Sequence, residues 1–86
     1  MIVTLTRPVI KRCPFRPETD TGTLTIVIGG TVPELHSLDK QIDALSAKPI
    51  SHEDYTAAVE ALLPEGARVT TTWSTGSWAV EVTNAA

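Results

Sequence analysis

Apolar and polar residues alternate at the start of the chain. In "MIVTLTR", Val3 and Leu5 fall on one face and Thr4 and Thr6 on the other, the two-residue period of a half-buried strand. Pro8 is expected to stop that strand, and "PVIKRCPFRPETD" reads as a proline-broken loop. Alternation returns in "TGTLTIVIGG", where Leu24, Ile26 and Ile28 share a face and a Gly-Gly pair closes the strand. The period then changes. Leu35, Leu38, Ile42 and Leu45 recur at helical spacing in "TVPELHSLDKQIDALSAKP", with Thr31 and Glu34 spaced for a capping box and Pro33 in the first turn. A second helix is expected from the N-cap Ser51, with Asp54 three residues on. Tyr55, Val59, Leu62 and Leu63 form its buried stripe, and Pro64 and Gly66 end it. "ARVTTTWS" and "SWAVEVT" read as a hairpin whose inner face carries Val69, Thr71, Trp73, Trp78, Val80 and Val82. A Thr75-Gly76 turn would set Trp73 opposite Trp78.

The resulting order, ββααββ, predicts an α+β domain spanning 1–86: a four-stranded antiparallel sheet with two helices on one face. Such a sheet leaves two free edges on which neighbouring subunits could pair. The chain has 86 residues, enough for one modest core. Its net charge of -3 gives no general attraction to nucleic acid or anionic membrane, although Arg7, Lys11, Arg12 and Arg16 suggest a local basic cluster. No apolar stretch is long enough to span a bilayer, and the N-terminus does not read as a signal peptide. A single cysteine excludes an internal disulfide and a Cys-rich zinc site, so no metal is expected and a reduced, cytoplasmic setting is.

That cysteine sits in "KRCPFRPETD". A thiolate is the nucleophilic form of cysteine, and nearby cations favour it. Lys11, Arg12 and Arg16 are close to Cys13 in sequence, and Asp20 could supply a proton if the loop folds back. An incidental loop thiol is the competing reading. His52 and Glu53 open the second helix. A carboxylate there is stabilised by the helix dipole. It could also accept two parallel N–H bonds, such as those of the N1–H and 2-amino group of a guanine-like ring, with His52 beside it to move protons. Glu34 is either a capping residue or a ligand residue.

In this order, Cys-Pro, then Asp20 seven residues after Cys13, then "ELHSLDKQ", then "ISHED", the chain resembles the 7-cyano-7-deazaguanine reductases, the QueF family of the tunnelling fold. The resemblance covers nearly the whole chain. It implies a single tunnelling-fold module. It also implies that Cys13 attacks the nitrile carbon of 7-cyano-7-deazaguanine to form a thioimide, that Asp20 protonates the nitrile nitrogen, and that Glu53 holds the guanine-like edge with His52 as helper. Glu34 and Ser37 fall in the matched helix motif and are expected to contribute to substrate binding.

The chain departs from the reductase pattern where the family binds its nicotinamide cofactor. Leu35, His36 and Asp39 stand where Ser, Lys and Lys are expected, and the late Arg-Gly-Gly reads "STGSW". A phosphorylated dinucleotide needs cations. The resemblance therefore points to the QueF-like branch, in which ammonia rather than hydride resolves the thioimide to an amidine and no cofactor is required. An NADPH-dependent nitrile reductase, with Lys40 replacing a lost lysine, is the alternative within this chemistry. A non-catalytic purine-binding module is the alternative outside it. The substrate would be the deazaguanine as free base or within tRNA or DNA. Tunnelling-fold proteins assemble as rings, so a cyclic homo-oligomer is expected, with sites between subunits to which neighbouring chains contribute Cys13 and Glu53.

Overall fold

A computed structural model describes residues 1–84. The elements are β1 (Ile2–Arg12), β2 (Thr19–Gly29), α1 (Leu35–Ala44) with a short 3-10 turn at Leu45–Ala47, α2 (His52–Ala61), β3 (Arg68–Thr75) and β4 (Trp78–Thr83). The sheet order is β1-β2-β3-β4 and every neighbouring pair is antiparallel. This is the ββααββ order expected from the alternation.

Alternation also decides which face is buried. On β2, Leu24, Ile26 and Ile28 point inward while Thr19, Thr21 and Thr23 are exposed. On β3, Val69, Thr71 and Trp73 point inward. Leu38 and Ile42 of α1, with Tyr55 and Val59 of α2, cover that face and complete the core. Leu35, expected in the buried stripe, is 47% exposed, because it lies at the outer end of α1 beside the open β1 edge. Arg7 on β1 donates to Asp39 at 2.7 Å and to Asp43 at 2.9 Å, which ties α1 to that edge. No helix among the described residues is long and apolar enough to cross a membrane.

The first strand is longer than the sequence suggested. β1 runs through Pro8 to Arg12, so the irregular loop shrinks to 13–18. An edge strand has one side without ladder partners, and a proline lacking its N–H is tolerated there. The capping expectation also changes. Glu34 is itself the N-cap of α1, and its carboxylate accepts from the backbone N–H of His36 (3.0 Å) and Ser37 (2.6 Å). Thr31 and Pro33 lie ahead of the helix. Ser51 caps α2 as expected, accepting from the Asp54 N–H at 3.1 Å.

The last hairpin turns at Gly76-Ser77, not at Thr75-Gly76. Gly76 has φ +60, the conformation a two-residue hairpin turn with glycine first demands. Trp73 therefore pairs with Val80, and Trp78 pairs with Thr75 near the end of the sheet, where it is 75% exposed.

One glycine is fixed by packing. Gly22 lies opposite Trp73 across β2 and β3. A Cβ there would collide with the Thr72 carbonyl oxygen and come within 2.7 Å of Trp73 Cε3. Gly22→Ala is expected to destabilise the fold by about 1–3 kcal/mol, the usual scale of overpacking. Urea denaturation checks this; an unchanged midpoint would mean that the indole is free to move.

Candidate active site

The β1–β2 register builds the floor of a cleft. Lys11 lies directly opposite Asp20, on the face that carries Val9 and Leu24. Their side chains are 0% and 5% exposed, and Lys11 Nζ donates to Asp20 Oδ2 at 2.9 Å. Lys11 also donates to the Ile50 carbonyl at 2.8 Å, while the Ile50 N–H donates to the Arg12 carbonyl at 3.0 Å. These bonds clip the residues before α2 to the end of β1. The first turn of α2 is thereby brought up against loop 13–18.

The cleft between that loop, the start of α2 and the β3–β4 end is lined by Cys13, Asp20, His52 and Glu53 together. Lys11, Arg16, Ser51, Thr75 and Val80 complete it with the loop residues Pro14 and Phe15. Four of the six residues singled out in the sequence thus share one cavity within a single chain, so Cys13 and Glu53, expected from neighbouring chains, meet without a partner subunit. Glu34 and Ser37 do not line it within this chain; the Glu34 carboxylate is engaged by the α1 N-terminus.

The Cys13 thiol is set below its usual pKa. Chiefly responsible is the Phe15 backbone N–H, helped by the guanidinium and N–H of Arg16 and opposed by desolvation and the Asp20 charge. Amide dipoles supply more of this than cations do, which corrects the idea of a basic cluster. Lys11 points into the core, Arg12 donates to the Ala47 carbonyl at 3.2 Å, and Arg7 is held by α1. Of these four cations, Arg16 is the one that acts directly on the sulfur.

The His52 ring is held by two contacts. It stacks on Trp73 with centroids 5.2 Å apart and planes 9° off parallel. Its Nε2 lies 3.1 Å from Thr75 Oγ1, and its Nδ1 is buried with no partner among the described residues. Burial lowers its pKa, and the Lys11 charge lowers it further against the opposing Asp20 and Glu53 charges, so the imidazole is neutral at pH 7. Beneath it runs a directional chain. Trp73 Nε1 donates to Thr71 Oγ1 (2.8 Å), Thr71 Oγ1 lies 2.8 Å from Thr56 Oγ1, and Thr56 Oγ1 donates to the His52 carbonyl (2.8 Å). An indole can only donate and a carbonyl only accept, so both threonine hydroxyls have fixed orientations. The packing residue Trp73 is therefore also the platform of the site. Glu53, beside His52, is exposed in the first turn of α2 and lines the cleft.

No protein-family model matches the chain, and no curated protein matches it. Among solved structures, the crystal structure of the archaeosine synthase QueF-Like in the apo form matches with a TM-score of 0.85. The match has 19% sequence identity and covers 96% of this chain and 90% of that chain. The chain shares the fold of that structure. This is the tunnelling fold that the order Cys-Pro, Asp20, His52-Glu53 implied. Identity this low carries the shape; the chemistry rests on the cleft.

Proposed function

We propose that the chain is a nitrile-processing enzyme of the QueF-like branch, acting on the 7-cyano-7-deazaguanine base. The observation that carries this reading is the convergence of Cys13, Asp20, His52 and Glu53 on one cleft of a QueF-like fold. Cys13 Sγ adds to the nitrile carbon, and the nitrogen takes up a proton relayed by Asp20, giving a thioimide. Ammonia then displaces the sulfur, leaving an amidine and a free thiol. Covalent capture replaces one difficult addition by two easier steps. Glu53 accepts the two N–H bonds of the guanine-like edge, and neutral His52 hydrogen-bonds the ring or moves a proton there. A reducing compartment such as the cytoplasm keeps Cys13 available as a thiol.

Ammonia rather than hydride completes the reaction in this reading. At α1, where the reductase pattern needs cations, Asp39 and Asp43 engage Arg7 and Glu34 caps the helix. Those residues do not fit the phosphates of a nicotinamide dinucleotide. With saturating nitrile and NADPH, absorbance at the reduced-nicotinamide band should stay constant, while ammonium should yield the amidine. Steady NADPH oxidation would promote the reductase instead.

The assembly belongs to the same proposal. β1 and β4 are the two edges of the sheet, and ring closure would remove both. In such a ring, Glu34 and Ser37 would reach a site only from a neighbouring chain. Sedimentation at micromolar protein should show a species several times the 9.2 kDa chain mass; a fully active monomer would exclude the ring.

A further inference from the structure

The floor of the cleft holds a charge for which the steps above have no use. The Lys11 side chain is 0% exposed, and a buried ammonium is costly unless it is paired and hydrogen-bonded. Its partners come from three elements: Asp20 Oδ2 on β2 at 2.9 Å, the Ile50 carbonyl ahead of α2 at 2.8 Å, and the Trp73 ring of β3, whose centroid is 5.0 Å away. Stability alone does not call for such a pair, because well-packed apolar residues of similar volume often serve as well or better. The inward neighbours Val9 and Leu24 show that this face accepts them. What an ion pair adds is a carboxylate of fixed charge and orientation.

We propose that Lys11 is the positioning residue of this site, holding Asp20 as the carboxylate that takes the Cys13 thiol proton and passes it to the substrate nitrogen. The proposal rests on the nitrile reading. As the Sγ–C bond forms, the S–H bond breaks and its proton moves to Asp20. One π pair of the C≡N bond moves onto nitrogen, which takes that proton, and Asp20 returns to its carboxylate form beside Lys11. Nothing is oxidised or reduced. The charged and titratable groups that face the pair are Cys13 and Arg16 from the loop and His52 and Glu53 from α2.

Lys11→Met tests this. It leaves Asp20 buried without the cation that fixes its charge and orientation. The rate of adduct formation at saturating 7-cyano-7-deazaguanine should fall by about a hundredfold, the scale of a lost proton-transfer group. The nitrile concentration at half-saturation should stay within about twofold, since the Lys11 ammonium is spent on Asp20 and the Ile50 carbonyl and acts on the chemical step. A purely structural role would move the half-saturating concentration along with the rate. Lys11→Arg, which keeps the cation, should recover at least tenfold of the loss. Should Lys11→Met fail to fold, Lys11→Gln keeps donors for Asp20 and Ile50 without the charge and carries the same comparison. A folded, uncharged variant with wild-type adduct rate, or one whose half-saturating concentration moves as much as its rate, overturns the proposal. Absence of an adduct in the wild type overturns the nitrile reading itself and, with it, this role for Lys11. The stability cycle of Lys11→Met, Asp20→Asn and the double variant then still reports whether the two side chains are coupled.

Discussion

Cys13→Ala is expected to reduce amidine formation from 7-cyano-7-deazaguanine to the uncatalysed background. The sulfur is the only nucleophile of its kind in the sequence, and its pKa is lowered by the Phe15 N–H and by Arg16. Removing it removes the covalent route, leaving only a bound substrate and free ammonia. The fold should survive, because Cys13 lies in loop 13–18 outside the core and its backbone N–H bond to the Glu18 carbonyl, 3.2 Å, does not involve the side chain. A far-ultraviolet spectrum and melting curve matching the wild type would confirm that the loss is chemical. Undiminished turnover in the alanine variant would remove Cys13 from the mechanism.

Glu53→Gln should have the second-largest effect, on binding. The guanine-like edge presents two donors, and a carboxylate offers two acceptors. The amide presents one acceptor and one donor, so one bond is lost and a donor faces a donor. Hydrogen bonds to a charged group contribute about 1.5–3 kcal/mol each. Affinity should therefore fall by at least roughly tenfold, since about 1.4 kcal/mol is one decade. Calorimetry with the Cys13→Ala background separates binding from adduct formation. Unchanged affinity would return Glu53 to the role of an acidic residue stabilising the start of α2.

Much of this arrangement was legible in the sequence because period and burial coincide. The alternation of Leu24, Ile26 and Ile28 and the spacing of Leu38 and Ile42 are direct consequences of one buried face. The Ser51 cap was legible because its geometry is local. What depended on tertiary context was not. Pro8 reads as a strand breaker until β1 is known to be an edge. Had the alternation of β1 been carried past Pro8, Lys11 would have fallen on the inward face with Val9. An inward lysine demands a counterion, and the β1–β2 register supplies Asp20. Trp73 read as packing, which it is, but its second role needs His52 stacked upon it, and no spacing encodes that contact. Glu34 could cap from either of two positions, and the entry of the chain into α1 decides between them.

The measurement that bears most directly on the central claim is the intact mass of the wild-type chain after incubation with 7-cyano-7-deazaguanine and no ammonia. Without the second nucleophile the thioimide should accumulate. The mass should rise by that of one nitrile base per chain, peptide mapping should place it on Cys13, and ammonium should discharge it as the amidine. A mass unchanged under saturating nitrile, with the base nonetheless bound, would contradict covalent catalysis and leave the cleft as a purine-binding site.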